Sequence, residues 1–222
     1  MTTDPVTTDP GLFESIDTLR SMRRLAPDPV PLDLLRRVLD AGTKAPSGQN
    51  TQPWVFLVVR DPDSKAFIQQ RYHRGMLARF GAFQPPPDDR SPLVRNFRAA
   101  MHLAEHLHEA PVLLLVCGLR DWPAAVPPEQ RVGKAPPSYG SIYPCIQNIL
   151  LACRGLGLGA SLTTTHMLFE DELTAHLGVP DEFGIVAVIP IGYPRGRFGP
   201  VHRRPAEELT YFDRWGQRKP AE

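Results

Sequence analysis

Residues Ala45 to Trp54 read APSGQNTQPW, and the run WVFLVV follows at once from Trp54 to Val59. Pro46, Ser47 and Gly48 are loop formers, Asn50, Thr51 and Gln52 bring short polar side chains, and the β-rich run behind them predicts a buried strand. A polar loop is thus held at the mouth of a strand. It offers backbone N–H groups, amides and a hydroxyl at a fixed place, which suits a planar polar ligand with many hydrogen-bonding edges. The alternative from composition alone is a helix-to-strand connection with no ligand.

Outward from that loop the chain alternates helical and extended patterns. Upstream, Asp9 and Pro10 read as an N-cap and first helical position, with Leu12, Phe13, Ile16 and Leu19 at helical spacing, ending in RSMRR at 20–24. Pro31 opens a second helix with Leu32, Leu35, Val38 and Leu39 on one face. Downstream, helices are predicted over 63–80, 93–109, 141–154 and near 169–177. Strands are predicted at 54–59, at 112–117, where VLLLVC reads as buried on both faces, at 160–165 (ASLTTT) and at 184–194. Residues 1–9 read as a flexible tail and 10–222 as a single domain, with 206–222 a C-terminal arm.

Composition narrows the function classes. The balance of 25 Lys+Arg against 24 Asp+Glu leaves no global field to attract nucleic acid or an anionic membrane. Cys117, Cys145 and Cys153 are odd in number and widely spaced, against both a disulfide framework and a zinc cluster, so a reduced cytoplasmic setting is expected. The start MTTDPVTTDP lacks a basic and an apolar region, and no run approaches the ~18 apolar residues of a membrane span, so a soluble, unprocessed protein is expected. Proline is the anomaly, at 25 of 222 residues, about twice the usual ~5%. The prolines concentrate in 81–92 and 121–138, which read as loops.

Several clusters invite chemistry. The arginines of 20–24 are suited to grip phosphate, because a planar guanidinium donates two hydrogen bonds and stays charged, although a basic helix end also complements the helix dipole. The loop at 195–204 carries Arg195, Arg197, Arg203 and Arg204. The run His102 to His106 matches HxxEH, which places two histidines one helical turn apart beside Glu105, a zinc-hydrolase pattern that lacks a convincing third ligand downstream. Gly155 to Ala160 contains GxGxxA, but a helix precedes it and a strand follows, the reverse of the dinucleotide-binding order, so it reads as helix termination by glycine.

The segment at 45–54 resembles the PSSxNxQPW signature of the nitroreductase family of FMN-dependent oxidoreductases, with Gly48 where a second serine is usual. RSMRR at 20–24, GLGLGASLTTT at 155–165 and RRPAEEL at 203–209 agree in order, so the resemblance runs through most of the chain. It implies an α+β fold, a nitroreductase-like three-layer sandwich with a central mixed β-sheet flanked by helices. It also implies an intertwined homodimer with FMN at each of two interface sites. One protomer would supply Arg20 and Ser21 at the phosphate and Arg23 near the flavin pyrimidine. It would also supply Thr163 and Thr164 along the flavin, where a backbone N–H meets N5, and Arg203 as a phosphate ligand with Arg204 as the near alternative. Pro46, Ser47, Gly48 and Asn50 would reach in from the other. Leu19 stands where many relatives carry a basic residue, which shifts the phosphate grip toward the C-terminal arginines.

The same resemblance implies that 81–92 covers the active site, with Phe80 and Phe83 as stacking partners for an aromatic substrate. The implied reaction is ping-pong: NADPH or NADH reduces the flavin, then a small-molecule acceptor, a nitroaromatic or quinone, is reduced in turn. Reductive dehalogenation or flavin destruction, known in sister groups, is the alternative in the same fold. Arg71, Arg74 and Arg79 are candidates for meeting the 2′-phosphate of NADPH.

Overall fold

The computed structural model describes residues 10–120 and 140–218. The tail expected at 1–9, the loop expected at 121–138 and the last residues of the C-terminal arm lie outside the described residues. The helices are α1 Leu12–Thr18, α2 Leu32–Thr43, α3 Pro62–Phe80, α4 Pro92–His106, α5 Ile142–Gly155 and α6 Glu170–Leu177. The strands are β1 Trp54–Val59, β2 Val112–Leu119, β3 Gly159–Ala160 and β4 Phe183–Gly192.

The strands form one sheet in the order β1-β2-β4-β3. Every pairing among the described residues is antiparallel, which corrects the mixed sheet expected from the sequence. The reason lies in the β1 to β2 connection. Two helices, α3 and α4, fill it, and a helical hairpin returns the chain to the end where β1 finished, so β2 runs opposite to β1.

Strand β2 is the spine, buried along almost its whole length. Its side chains alternate between two cores, as the period of a strand requires. Val112, Leu114 and Val116 meet Leu35 and Val38 of α2 and Ile146 and Ile149 of α5 on one face. Leu113, Leu115 and Cys117 meet Ile68 and Tyr72 of α3, Leu103 of α4 and Leu173 of α6 on the other. The result is three layers, helix on sheet on helix. Each fully buried aliphatic side chain contributes about 1.5–3 kcal/mol.

Two sequence expectations change in length. The strand expected over 160–165 is reduced to Gly159–Ala160, with Thr163 returning as an isolated bridge to Val188. The pairs Ala160 with Ile191 and Thr163 with Val188 share one register, which sets Ser161 opposite Pro190. That pair falls where the ladder needs an N–H from Pro190, and proline has none.

The first helix is also shorter, ending at Thr18, so RSMRR is not a basic helix end. Residues 19–26 run extended along the sheet instead: Met22 N donates to Ala160 O (2.9 Å), Ala26 N to Tyr193 O (2.7 Å), and Arg195 N to Arg24 O (2.9 Å). These bonds replace those of a continued helix, while Met22 and Leu25 anchor the segment in the core. A Cβ at Gly159 would lie 2.9 Å from both Met22 and Leu25, so the close approach requires glycine. The apolar face of α1 turns outward, with Leu12, Phe13 and Ile16 exposed by 64%, 78% and 46%.

Helix α5 ends as the glycine pattern predicts. Gly157 adopts φ +73°, with Leu158 N bonded to Cys153 O and Gly157 N to Arg154 O, a Schellman cap. The three cysteines are buried and unpaired; burial pushes the Cys117 thiol up to about 11 and Cys145 and Cys153 to about 12, which keeps them protonated and inert.

Candidate functional site

The extended segment at 20–24, the first turn of α4 and the loop 195–203 enclose a cleft of about 910 Å³. Seven arginines line it: Arg20, Arg23, Arg24, Arg95, Arg195, Arg197 and Arg203, with Ser21 and His202 among them. Among the described residues no carboxylate appears in that lining. Met22 and Leu25 are buried, and Arg20, Ser21, Arg23 and Arg24 line the cleft together with Met22.

The charge in the cleft favours anions over cations. Burial lowers the Arg23 pKa, Tyr72 pulls it back up, and the charge of Arg20 lowers it further. A guanidinium crowded by a like charge in partial burial is relieved by an anion between them.

The structure separates the two C-terminal arginine candidates. Arg203 lines the cleft, its Nη1 donating to His202 O at 2.9 Å. Arg204 instead pairs with Glu208 (Nε to Oε2, 3.2 Å), one helical turn on, and is not among the lining residues.

Thr163 lies under the sheet edge. Its N–H donates to Val188 O (3.0 Å), it accepts from Val188 N (3.1 Å), and its hydroxyl donates to Val188 O (2.9 Å). Thr164 follows at the start of the turn Thr165–Leu168. Among the described residues its N–H meets no acceptor.

The signature loop stands apart from the arginine cleft, and none of Pro46, Ser47, Gly48 or Asn50 lines it. Ser47 Oγ accepts from Gln52 N (3.0 Å), Gly48 N donates to Ser141 Oγ (3.2 Å), and Thr51 Oγ1 donates to Gly48 O (2.9 Å). Gln49, Asn50 and Gln52 hold φ of 53°, 56° and 47°. Three non-glycine residues in the left-handed region cost on the order of 1 kcal/mol each and persist only where surrounding bonds impose them, a pattern that concentrates at binding sites. Within one chain the loop and the arginines are therefore two separate surfaces.

Phe80 packs against the α3 and α4 core, and Phe83 stands edge-on to Phe97 at 4.8 Å; neither lines the cleft. The segment carrying Phe83 is tied down. Arg98 donates to Asp89 O (2.8 Å), Pro86 O (2.7 Å) and Pro87 O (3.1 Å), clamping the proline-rich turn onto α4. Arg71 and Arg74 are both spent on Glu172, at 2.8 and 2.5 Å. That pairing lowers the Glu172 pKa, Arg74 first, and neither arginine lines the cleft.

His102, Glu105 and His106 do come together, with ligand atoms within 4.8 Å of one another. His106 Nδ1 is bonded to Glu109 Oε1 at 2.7 Å. Yet Arg23, Arg24 and Arg195 line the same cavity, and three guanidiniums oppose a dication. Burial, then Arg24 and His106, lower the His102 pKa.

Sequence reasoning did not single out Arg95 or Asn96. A signal was present: Arg95 lies in the first turn of a helix that carries no acidic residue there, against the helix dipole.

A model described as the Nitroreductase family matches residues 16–193. The chain is similar to the NADH dehydrogenase of Thermus thermophilus, 32% identical over 207 residues, 87% of this chain and 91% of that one. It is similar to iodotyrosine deiodinase 1 of Rattus norvegicus, 32% identical over 199 residues, 86% of this chain and 65% of that one. Among solved structures, iodotyrosine deiodinase bound to FMN and 3-iodo-L-tyrosine superposes with TM-score 0.68 at 26% identity, covering 88% of this chain and 96% of that one. A BluB-like flavoprotein from Clostridium difficile 630 superposes with TM-score 0.71 at 23% identity, covering 92% of this chain and 100% of that one.

Proposed function

The chain belongs to the nitroreductase family, and on that premise we propose that it is an FMN-dependent oxidoreductase that uses NADPH or NADH to reduce a nitroaromatic or quinone-like acceptor. The observation that carries this reading is the cleft that gathers Arg20, Ser21, Arg23 and Arg203 with no carboxylate. That donor set fits a flavin mononucleotide, whose phosphate needs forked cations and whose pyrimidine edge gains from one more. When bound, FMN supplies hydride transfer through N5, from reductant to acceptor in two half-reactions.

Arg20, Ser21 and Arg203 would hold the phosphate; Arg204, which pairs with Glu208 and does not line the cleft, would not. Arg23 would offset negative charge at the pyrimidine, and the Thr164 N–H, which meets no acceptor among the described residues, would be a backbone donor for the ring. No general base is needed in such a site, and the residues bind, orient and balance charge.

Pro46, Ser47, Gly48 and Asn50 would complete the site from a second copy of the chain. The separation of that loop from the cleft supports this, as does the outward apolar face of Leu12, Phe13 and Ile16. A homodimer then has two whole sites and a monomer has none.

Similarity to iodotyrosine deiodinases favours a second reading, reductive dehalogenation of an aromatic. An amino-acid substrate also brings an ammonium group, and the cleft has no carboxylate among its described lining to receive it. Iodide release from 3-iodotyrosine under reducing conditions would establish this second reading.

The deciding experiment is the visible spectrum of the pure protein, then anaerobic addition of NADPH. Bands near ~370 and ~450 nm that bleach on reductant, and return with a nitroaromatic or quinone, are the expected result. A protein that cannot be loaded with FMN would overturn the reading.

A further inference from the structure

The cleft holds more positive charge than the flavin reading uses. Arg20, Arg23 and Arg203 serve the cofactor in that reading, while Arg24, Arg95, Arg195 and Arg197 line the same walls. One terminal phosphate offers three free oxygens, too few to engage every guanidinium. Arg195 is fixed by Nε to Leu25 O at 3.1 Å, and Arg24, like Arg23 and Arg195, also lines the smaller cavity beside His102, which Arg95 and Arg197 do not.

Arg95 and Arg197 are left over. Neither has an ion pair among the described residues. Arg95 stands in the first turn of α4, after Ser91 and Pro92, with no acidic residue in that turn. The positive end of a helix favours anions, so a cation in this turn is better placed with an anion beside it than alone. Asn96 beside it adds an amide donor on the same lining.

We infer that Arg95, Asn96 and Arg197 form a second anion subsite in this cleft, which takes a phosphate or carboxylate carried by the reductant or by the acceptor. The inference rests on the flavin reading, because the cofactor's share of the arginines is what leaves these residues over. It directs the site toward acidic acceptors or toward the 2′-phosphate of NADPH; Arg71 and Arg74, paired with Glu172, do not line this cleft.

The test uses ligands that do not react. FMN content is read first by absorbance, and the loaded protein is then titrated calorimetrically with two pairs: adenosine 2′-monophosphate against adenosine, and benzoate against benzamide. In at least one pair the anion is expected to bind about tenfold tighter or more, with Arg95→Gln and Arg197→Gln each removing most of that preference while FMN stays bound. Preference in the nucleotide pair assigns the subsite to the reductant; preference in the benzoate pair assigns it to the acceptor. Equal affinity within both pairs, or a preference that survives both substitutions, overturns the inference. So does loss of FMN from the Arg95 or Arg197 variants, which would return those residues to the cofactor phosphate. If the wild-type protein takes up no FMN, the flavin reading fails, and the same titrations on the flavin-free protein still decide whether the subsite exists.

Discussion

Thr163 and Val188 face each other across the sheet edge through three hydrogen bonds, two between backbones and one from the Thr163 hydroxyl to Val188 O. The Thr163 N–H is therefore committed to the sheet, while the next one, on Thr164, meets no acceptor among the described residues. Substitution Thr163→Val keeps the shape and both backbone bonds and removes one buried side-chain bond. It is expected to cost about 1 kcal/mol in urea unfolding while FMN content holds. Loss of the flavin from that variant would place the hydroxyl on the cofactor.

Arg203 and Arg204 are neighbours in sequence with different fates, one in the cleft and one paired with Glu208. Arg203→Ala is expected to weaken FMN about tenfold or more, since a charge-assisted bond is worth roughly 1.5–3 kcal/mol. Arg204→Ala is expected to change it by no more than about twofold, because an exposed ion pair contributes little. Fluorescence titration with FMN compares the two; equal losses would contradict the assignment.

His166 is buried, with Nε2 bonded to Ile185 O at 2.7 Å and no partner on Nδ1 among the described residues. Burial lowers its pKa, against smaller upward pulls from the Ile185 carbonyl and Glu170. The folded pKa thus lies below the unfolded value of 6.5, and below that pH the unfolded chain takes up a proton that the folded protein refuses. Stability is expected to be full above the unfolded value and to fall as the pH drops below it, until the folded pKa is reached. His166→Gln, which keeps a donor toward Ile185, should flatten that decline in urea midpoints measured from about pH 7.5 to about pH 5.5. An unchanged slope would remove His166 as its source.

Arg98 is the clamp on the proline-rich turn, donating to three carbonyls between Pro86 and Asp89. Arg98→Ala should release the turn and speed chymotryptic cleavage after Phe83 by about fivefold or more, with little change in global unfolding. Equal cleavage rates would show that the proline-rich segment holds its shape unaided.

Phe13 is 78% exposed on the outward face of α1. If that face meets a second copy, Phe13→Asp should shift the protein toward monomer in sedimentation and lower its FMN content in parallel, because each site would lose its partner loop. A variant that stays dimeric would move the contact away from α1.

Much of the fold was legible because it is local. The helices α2 and α3 and the strands β1 and β2 follow hydrophobic period and start signals, and the close of α5 follows from Gly157 alone. Where the reading slipped, a distant residue intervened. Pro190 cut short the strand that ASLTTT predicts, and the backbones of Ala160, Tyr193 and Arg195 drew residues 19–26 out of helix and into an extended run.

The candidate site divides along the same line. Side-chain chemistry and order in the chain by themselves determined which arginines were candidates for a phosphate, the polar loop before Trp54, the buried central strand and three scattered cysteines that form no disulfide framework. Only the tertiary structure decided that Arg203 and not Arg204 faces the cleft, that Thr163 has no N–H to spare, that Arg71 and Arg74 belong to Glu172, and that Arg95 joins the other arginines. Those outcomes depend on which groups far apart in the chain compete for the same hydrogen bond or the same charge, and a competition of that kind is settled only when the chain is closed in space.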